Sequence, residues 1–353
     1  MRAMVSLLYG ANLPIAAFLQ QPAPWNARLL GALCFAGDAA AGRAIAGFDV
    51  PCLHVPMQRL DGGDSACEAW RSNGAVTQGR QGAIHYCHDD DVLFGVIALP
   101  ETQFEAVADK TPLHQAAESA YGQVFALLDQ LRYPHVWRFW NYFADINADS
   151  FGLERYRQFN LGRQAAFVAC GRHENGVFPA ACALGAGAGP LNIAFLAARE
   201  APLNIENPRQ ISAYQYPQQY GPRSPMFSRA SLGRLQHEAV LFISGTASIV
   251  GHTTLHLADV MAQTRETIAN IKAVLAETNR FAPQPGFTLA DLHYKVYLRD
   301  PADLATIRGE LQSSVGDGLQ AVYLRADVCR RELLLEIEAC AALPLAGDGG
   351  GRN

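Results

Sequence analysis

Apolar residues recur along the chain at two different periods. In residues 112–131 Ala117, Val124, Leu128 and Leu131 keep helical spacing behind Pro112, and Tyr133-Pro134 stops the run. Residues 260–278 read as the clearest helix, with Ile268, Ile271 and Leu275 on one face. Pro301 opens a further helix at 302–312, and residues 154–163 read as a fourth. Strand patterns occupy 83–86, 92–99, 135–146, 165–170, 178–185, 191–197, 239–250 (broken at Gly245) and 292–298. Two more strands, 322–329 and 333–340, are predicted to join through a tight turn at Arg330-Arg331. Helices and strands without strict βαβ alternation predict an α+β fold of mixed sheets with helices on one face.

Aromatic segment 135–146 carries Trp137, Trp140 and Tyr142, large enough to wall one unit from the next. A second unit is predicted to begin near 147–152, giving regions 1–148 and 149–345 and a frayed tail at 346–353. The loop 207–230, NPRQISAYQYPQQYGPRSPMFSRA, is long for a structureless connection, and such loops tend to be functional.

With 353 residues, half of them hydrophobic and 17% charged, the chain can bury a large core and is not generally disordered. Its net charge of −5, without a basic block, argues against nucleic acid or an anionic membrane as partner. No apolar run reaches the length of a membrane span, and the interrupted first 20 residues do not read as a signal peptide. Eight scattered cysteines without a CxxC pair read as reduced cytoplasmic thiols. Arginine outnumbers lysine 25 to 3, as a GC-rich genome or a carboxylate-gripping pocket would each produce.

Several sharp signals fail on inspection. GAGAG at 185–189 lacks the Lys-Ser/Thr and the helix of a phosphate loop. His85, Cys87 and Asp89 have metal-like spacing but equally suit a strand end. His252 and His256 have no HExxH glutamate, and no Gly-x-Ser-x-Gly elbow exists. In LLLEIEAC (333–340), Leu335 and Ile337 alternate with Glu336 and Glu338, which the wet face of an edge strand would also produce.

Segments 248–277 (SIVGHTTLHLADVMAQTRETIANIKAVLAE) and 325–341 (RADVCRRELLLEIEACA) resemble the Rid (YjgF-like) fold, whose pocket arginine and glutamate map onto Arg325 and Glu336. ERYRQFNLGR (154–163), the loop 206–230, FISGTASIVGHTTLH (242–256) and DVCRRELLLEIE (327–338) together resemble the chorismatases, which remove the enolpyruvyl group of chorismate. That resemblance implies a Rid-like catalytic C-terminal half and a diverged Rid-like N-terminal half. It implies Glu336 as the acid that protonates the vinyl methylene. Cys329, seven residues earlier, marks the type that forms hydroxybenzoate through an arene oxide, with Gly245 as the companion that leaves room for the sulfur.

A dianionic substrate asks for cationic forks. The expected binding residues are Arg163, Tyr214, Tyr220 and Arg223, with Arg209 and Arg299 behind them, Arg325 from the Rid comparison, and Arg229 and Tyr216 also within reach. The expected activity is conversion of chorismate to pyruvate and 3-hydroxybenzoate, with or without 4-hydroxybenzoate, in the cytoplasm, without cofactor or metal, by a monomer or homotrimer. The alternatives are a hydrolytic chorismatase that leaves a dihydroxycyclohexadiene carboxylate, and a Rid-type imine deaminase.

Overall fold

A computed structural model describes residues 7–107, 109–173 and 176–345; the expected tail at 346–353 lies outside them. The strands are β1 Leu7–Leu13, β2 Leu29–Ala36, β3 Cys52–Val55, β4 Ser65–Ser72, β5 Thr77–Gln81, β6 Ile84–His88, β7 Val92–Leu99, β8 His135–Ala144, β9 Asp149–Ser150 and β10 Leu153–Glu154. They continue as β11 Ala180–Ala186, β12 Leu191–Ala198, β13 Leu203–Ile205, β14 Ala230–Arg234, β15 Glu238–Thr246, β16 Ile249–Val250, β17 Thr253–Thr254, β18 His293–Leu298, β19 Gln320–Arg325 and β20 Leu335–Pro344. The helices are α1 Ile15–Leu19, α2 Ala23–Asn26, α3 Ala39–Ala46, α4 Pro112–Leu131, α5 Arg155–Ala169, α6 Val260–Thr278 and α7 Leu304–Val315.

Three large mixed sheets carry the fold, in the orders β1-β4-β2-β3, β11-β8-β12-β7-β6-β5 and β13-β14-β15-β20-β18-β19. Their wiring is the same. In each, a helical connection leads to an inner strand (β2, β8, β18), a second helix leads to a parallel edge strand (β3, β11, β19), and the last strand (β4, β12, β20) inserts antiparallel beside the inner one. Among the described residues one topological unit therefore occurs three times, the first with one meander strand where the later two have three. The fold is α+β, as expected.

Each unit covers the outer face of its sheet with helices. Helices α4 and α5 pack on the second sheet, α6 and α7 on the third, and α1 and α3 on the first. The inner faces of all three meet in one core that includes Trp70, Phe94, Trp137, Trp140, Phe242 and Tyr297. Trp140 packs against both Trp70 and Phe242, with ring centroids 6.0 and 6.1 Å apart, so the aromatic segment does form a wall between units.

Local chemistry explains the well-placed elements. Thr111 caps α4 by accepting from the His114 amide, Pro112 fills the first helical position, and Asp259 caps α6 through the Ala262 amide. Three sequence expectations need correction. Residues 165–169 continue α5 instead of forming a strand, because Ala166 and Phe167 bury against α4 on a helical face. The last two strands are not a hairpin, since β18 lies between β19 and β20 and Cys329 sits in their connecting loop. The sheets divide the chain near 199–202 and not at 148/149, because β11 and β12 hydrogen-bond to β8 and β7.

Candidate active site

Where the edge of the second sheet meets the third, a cavity of about 640 Å³ opens. Its walls come from α5, β11, the bulged end of β15, the long loop 207–229 and the connection 326–334. Backbone links fix this junction: the Ala181 amide donates to Ser244 Oγ at 2.9 Å, and the Gly185 amide to the Asp327 carbonyl at 2.7 Å.

Glu336, on β20, faces this cavity and is 4% exposed. Its carboxyl occupies the space that a side chain at residue 245 would need: a Cβ built on Gly245 would lie 1.9 Å from Glu336 Oε1. Gly245 thus clears room for the carboxyl, which the Cys329 thiol meets in turn, and for Cys182. The Cys329 thiol stands on another side, donating to Glu336 Oε2 at 3.9 Å. Burial pushes Glu336 up to about 8, with the negative charge of Glu338 adding and Arg138 and Arg299 opposing. Burial likewise pushes the Cys329 thiol up to about 12, so it is a thiol and not a thiolate at neutral pH.

Opposite polarity surrounds this acid. Arg163 of α5 is 2% exposed, donates to Asn160 Oδ1 at 2.9 Å and lies over the Phe159 ring. Arg229 donates to the Tyr216 hydroxyl at 2.7 Å and to the Ile211 carbonyl. Arg330 stacks 3.9 Å above the Tyr220 ring and donates to the His252 carbonyl. None of the three makes an ion pair within 4 Å among the described residues, and each keeps a buried N–H without a partner: Arg163 Nε, Arg229 Nε and Arg330 Nη2. Glu206, beside Arg229, and Glu332, reached from Arg330 through the Thr254 hydroxyl, temper this charge. The other lining arginines stand beside carboxylates, Arg157 beside Glu154 and Arg331 beside Asp149. Buried guanidinium groups without carboxylates are costly unless a ligand supplies the anion. The cavity is therefore built for an anionic guest beside a neutral carboxylic acid.

A family model described as "Chorismatase FkbO/Hyg5-like, N-terminal" matches residues 68–197. A 3-hydroxybenzoate synthase of Streptomyces hygroscopicus is 38% identical over 280 residues, which is 77% of this chain and 80% of that protein. The chain belongs to the chorismatase family. A chorismatase of Streptomyces rapamycinicus is 37% identical over 286 residues, 79% of this chain and 83% of its own. A chorismatase crystal structure superposes with a TM-score of 0.82 at 30% identity, covering 95% of this chain and 98% of that one.

Against this chorismatase frame, the expected residues fall into two groups. Glu336, Cys329, Gly245, Arg163 and Tyr220 line the cavity together. Five others stand outside it. Arg325 is exposed at the end of β19, which carries it away from Glu336 because β18 intervenes. Arg223 is exposed on the long loop, and Tyr214 packs on Phe178 with centroids 5.0 Å apart. Arg209 ties that loop to α6 through Glu266 and Asn270. Arg299 donates to the carbonyls of Val328, Arg330 and Leu333, to Asn147 and to Asp327, holding the loop that presents Cys329 and Arg330.

The sequence reading missed Arg330, Tyr156 and Cys182 as lining residues and gave Arg229 and Tyr216 too little weight. Arg330 follows Cys329 directly in the chain, and that adjacency was the available signal. The suspect histidines and Asp89 have ordinary partners: His252 faces Tyr220, His256 faces Glu266, and Asp89 caps the turn before β7. Among the described residues no group of three His, Cys, Asp or Glu gathers as a metal site, and no helix is long and apolar enough to cross a membrane.

Proposed function

We propose that this protein is a chorismatase that converts chorismate to pyruvate and 3-hydroxybenzoate. The supporting observation is the buried Glu336 carboxyl facing a cavity whose arginines Arg163, Arg229 and Arg330 lack carboxylate partners. Chorismate supplies two carboxylates, one on the ring and one on the enolpyruvyl arm. Arg330 and Arg229, with Tyr220 and Tyr216 beside them, suit one of these, and Arg163 the other.

In this reading Glu336 delivers its proton to the vinyl methylene, leaving an oxocarbenium on the ether carbon. A carboxylic acid kept neutral by burial can do this near pH 7. The neighbouring ring hydroxyl then displaces the ether oxygen, so that pyruvate departs and an arene oxide forms. The hydroxyl proton returns to the Glu336 carboxylate. Opening of the arene oxide and loss of a ring hydrogen restore the aromatic ring. The atoms of chorismate are divided between pyruvate and hydroxybenzoate with nothing added, so water, cofactor and metal are not consumed. Cys329, a neutral thiol beside Glu336, occupies volume where an attacking water would stand in the hydrolytic type.

The reading includes a cytoplasmic location and 3-hydroxybenzoate released alone or together with 4-hydroxybenzoate. The deciding experiment incubates purified protein with chorismate, quantifies pyruvate and resolves the aromatic products by chromatography. Pyruvate with equimolar 3-hydroxybenzoate is expected. Pyruvate accompanied by a dihydroxycyclohexadiene carboxylate would assign the hydrolytic type, and no pyruvate at all would refute chorismate as substrate. Cys329→Ala is expected to shift products toward the diene diol; an unchanged ratio would remove the sulfur from product control.

A further inference from the structure

Glu336 and Glu338 point to the same face of β20, yet only Glu336 lines the cavity. Glu338 lies one step deeper, at the place where the three sheets meet. It accepts from Lys295 Nζ at 2.6 Å, from Tyr297 Oη at 3.1 Å, from Arg138 and from the Cys182 thiol. Lys295 of β18 also pairs with Glu68 of β4, and Arg138 comes from β8, so all three large sheets contribute to this knot. Tyr142 closes it by meeting Tyr297 at 3.0 Å. Burial would raise the Glu338 carboxyl, but Lys295 and Arg138 override it and hold it at about 2. Glu338 is thus a buried anion two residues from the acid, with Cys182 both bonded to it and lining the cavity.

We propose that Glu338 is a positioning residue for the acid step: anchored by Lys295 and Arg138 one step deeper on the same face of β20, its carboxylate disfavours a second negative charge at Glu336. The proposal rests on Glu336 being the proton donor to chorismate. The other groups that face Glu336 are Arg138 from β8, Cys182 from β11, Tyr156 and Arg163 from α5, Arg299 at the end of β18, and Cys329 and Arg330 from the final loop. Among these the arginines favour the carboxylate, and burial with Glu338 outweighs them.

The test is whether the alkaline limb of activity follows the charge at residue 338 or its shape. Pyruvate release from chorismate is measured across pH 5–10 for wild type, Glu338→Gln and Glu338→Asp. The isosteric, uncharged Gln variant is expected to move the limb of kcat down by about one pH unit, with KM within a few-fold of wild type. The shorter but charged Asp variant is expected to keep the limb in place, whatever its rate. Should Glu338→Gln not fold with its cations stranded, Glu338→Gln/Lys295→Met removes one of them and is expected to shift the limb the same way. Limbs that stay fixed in folded Gln variants, or move equally in the Asp variant, would overturn the proposal. The protonated-carboxyl infrared band, assigned by its loss in Glu336→Gln, titrates Glu336 without turnover. Wild type that makes no pyruvate while this band still shifts in Glu338→Gln would refute the functional reading and leave the positioning role standing.

Discussion

Everything chemical at the residue scale follows from one carboxyl group being more comfortable neutral than charged. Glu336 binds its proton more tightly in the folded chain, at about 8, than in the unfolded chain, where carboxylates titrate near 4.3. The sign of the linkage is fixed by that order. Stability from this group is complete below the unfolded value and is lost as pH rises through the folded one. Glu336→Gln has no charge to bury, so its melting temperature is expected to gain on wild type progressively between pH 5 and pH 9. Parallel melting curves across that range would show that Glu336 is ionised when folded. Glu338 runs the other way: its stabilisation is present above the unfolded value and disappears as pH falls toward about 2. Two carboxylates two residues apart thus have opposite fates, decided by which of them meets Lys295 and Arg138.

The same scale separates the arginines. Arg330 places an unpartnered Nη2 at the cavity, whereas Arg325 is exposed and Arg223 sits on the loop surface. Arg330→Met is expected to weaken chorismate binding by roughly 2–5 kcal/mol, the usual loss when one partner of a desolvated charge pair is removed. Arg325→Ala and Arg223→Ala are expected to leave KM within about twofold, as exposed substitutions do. Equal effects at all three positions would mean that the cavity is not where the substrate sits. Which arginine matters was not legible in the sequence, because it depends on β18 entering between β19 and β20. Glu336, Cys329 and Gly245 were legible, since resemblance carried them position by position.

At the scale of elements, helical spacing of apolar residues made α4 and α6 legible, with Pro112 marking the start of α4, and the caps Thr111 and Asp259 agree with both starts. Periodicity failed where tertiary packing decided. Residues 165–169 have a composition that suits a strand, but Gly162 lets α5 approach α4 so closely that a Cβ there would lie 2.1 Å from the His114 carbonyl oxygen, and the helix runs on. The final connection, 326–334, has little regular structure, and Arg299 holds it through four acceptors there while a fifth bond reaches Asn147. Arg299→Met is expected to lower both the melting temperature and kcat without touching substrate. Its signature is faster proteolysis within 326–334, and protection equal to wild type would contradict the clamp.

Among the described residues, three large sheets of one wiring surround a shared core, each with its helices outside. No hydropathy pattern announces this, because the repeat lies in strand order and not in the sequence. The first unit contributes Glu68 to the central knot, the second Arg138 and the α5 wall, and the third the acid itself. Since the three inner faces already cover one another, the chain is expected to be a monomer of 38.2 kDa in light scattering. A trimer would mean that another face of these units is an interface.

The account stands most directly on Glu336→Gln, a change that keeps shape and removes the transferable proton. Pyruvate release from chorismate is expected to fall by about 10²–10⁴-fold, with chorismate affinity, read by calorimetry, within a few-fold of wild type. Release at the wild-type rate from a folded Glu336→Gln protein would show that the proton comes from elsewhere, and the account would fail.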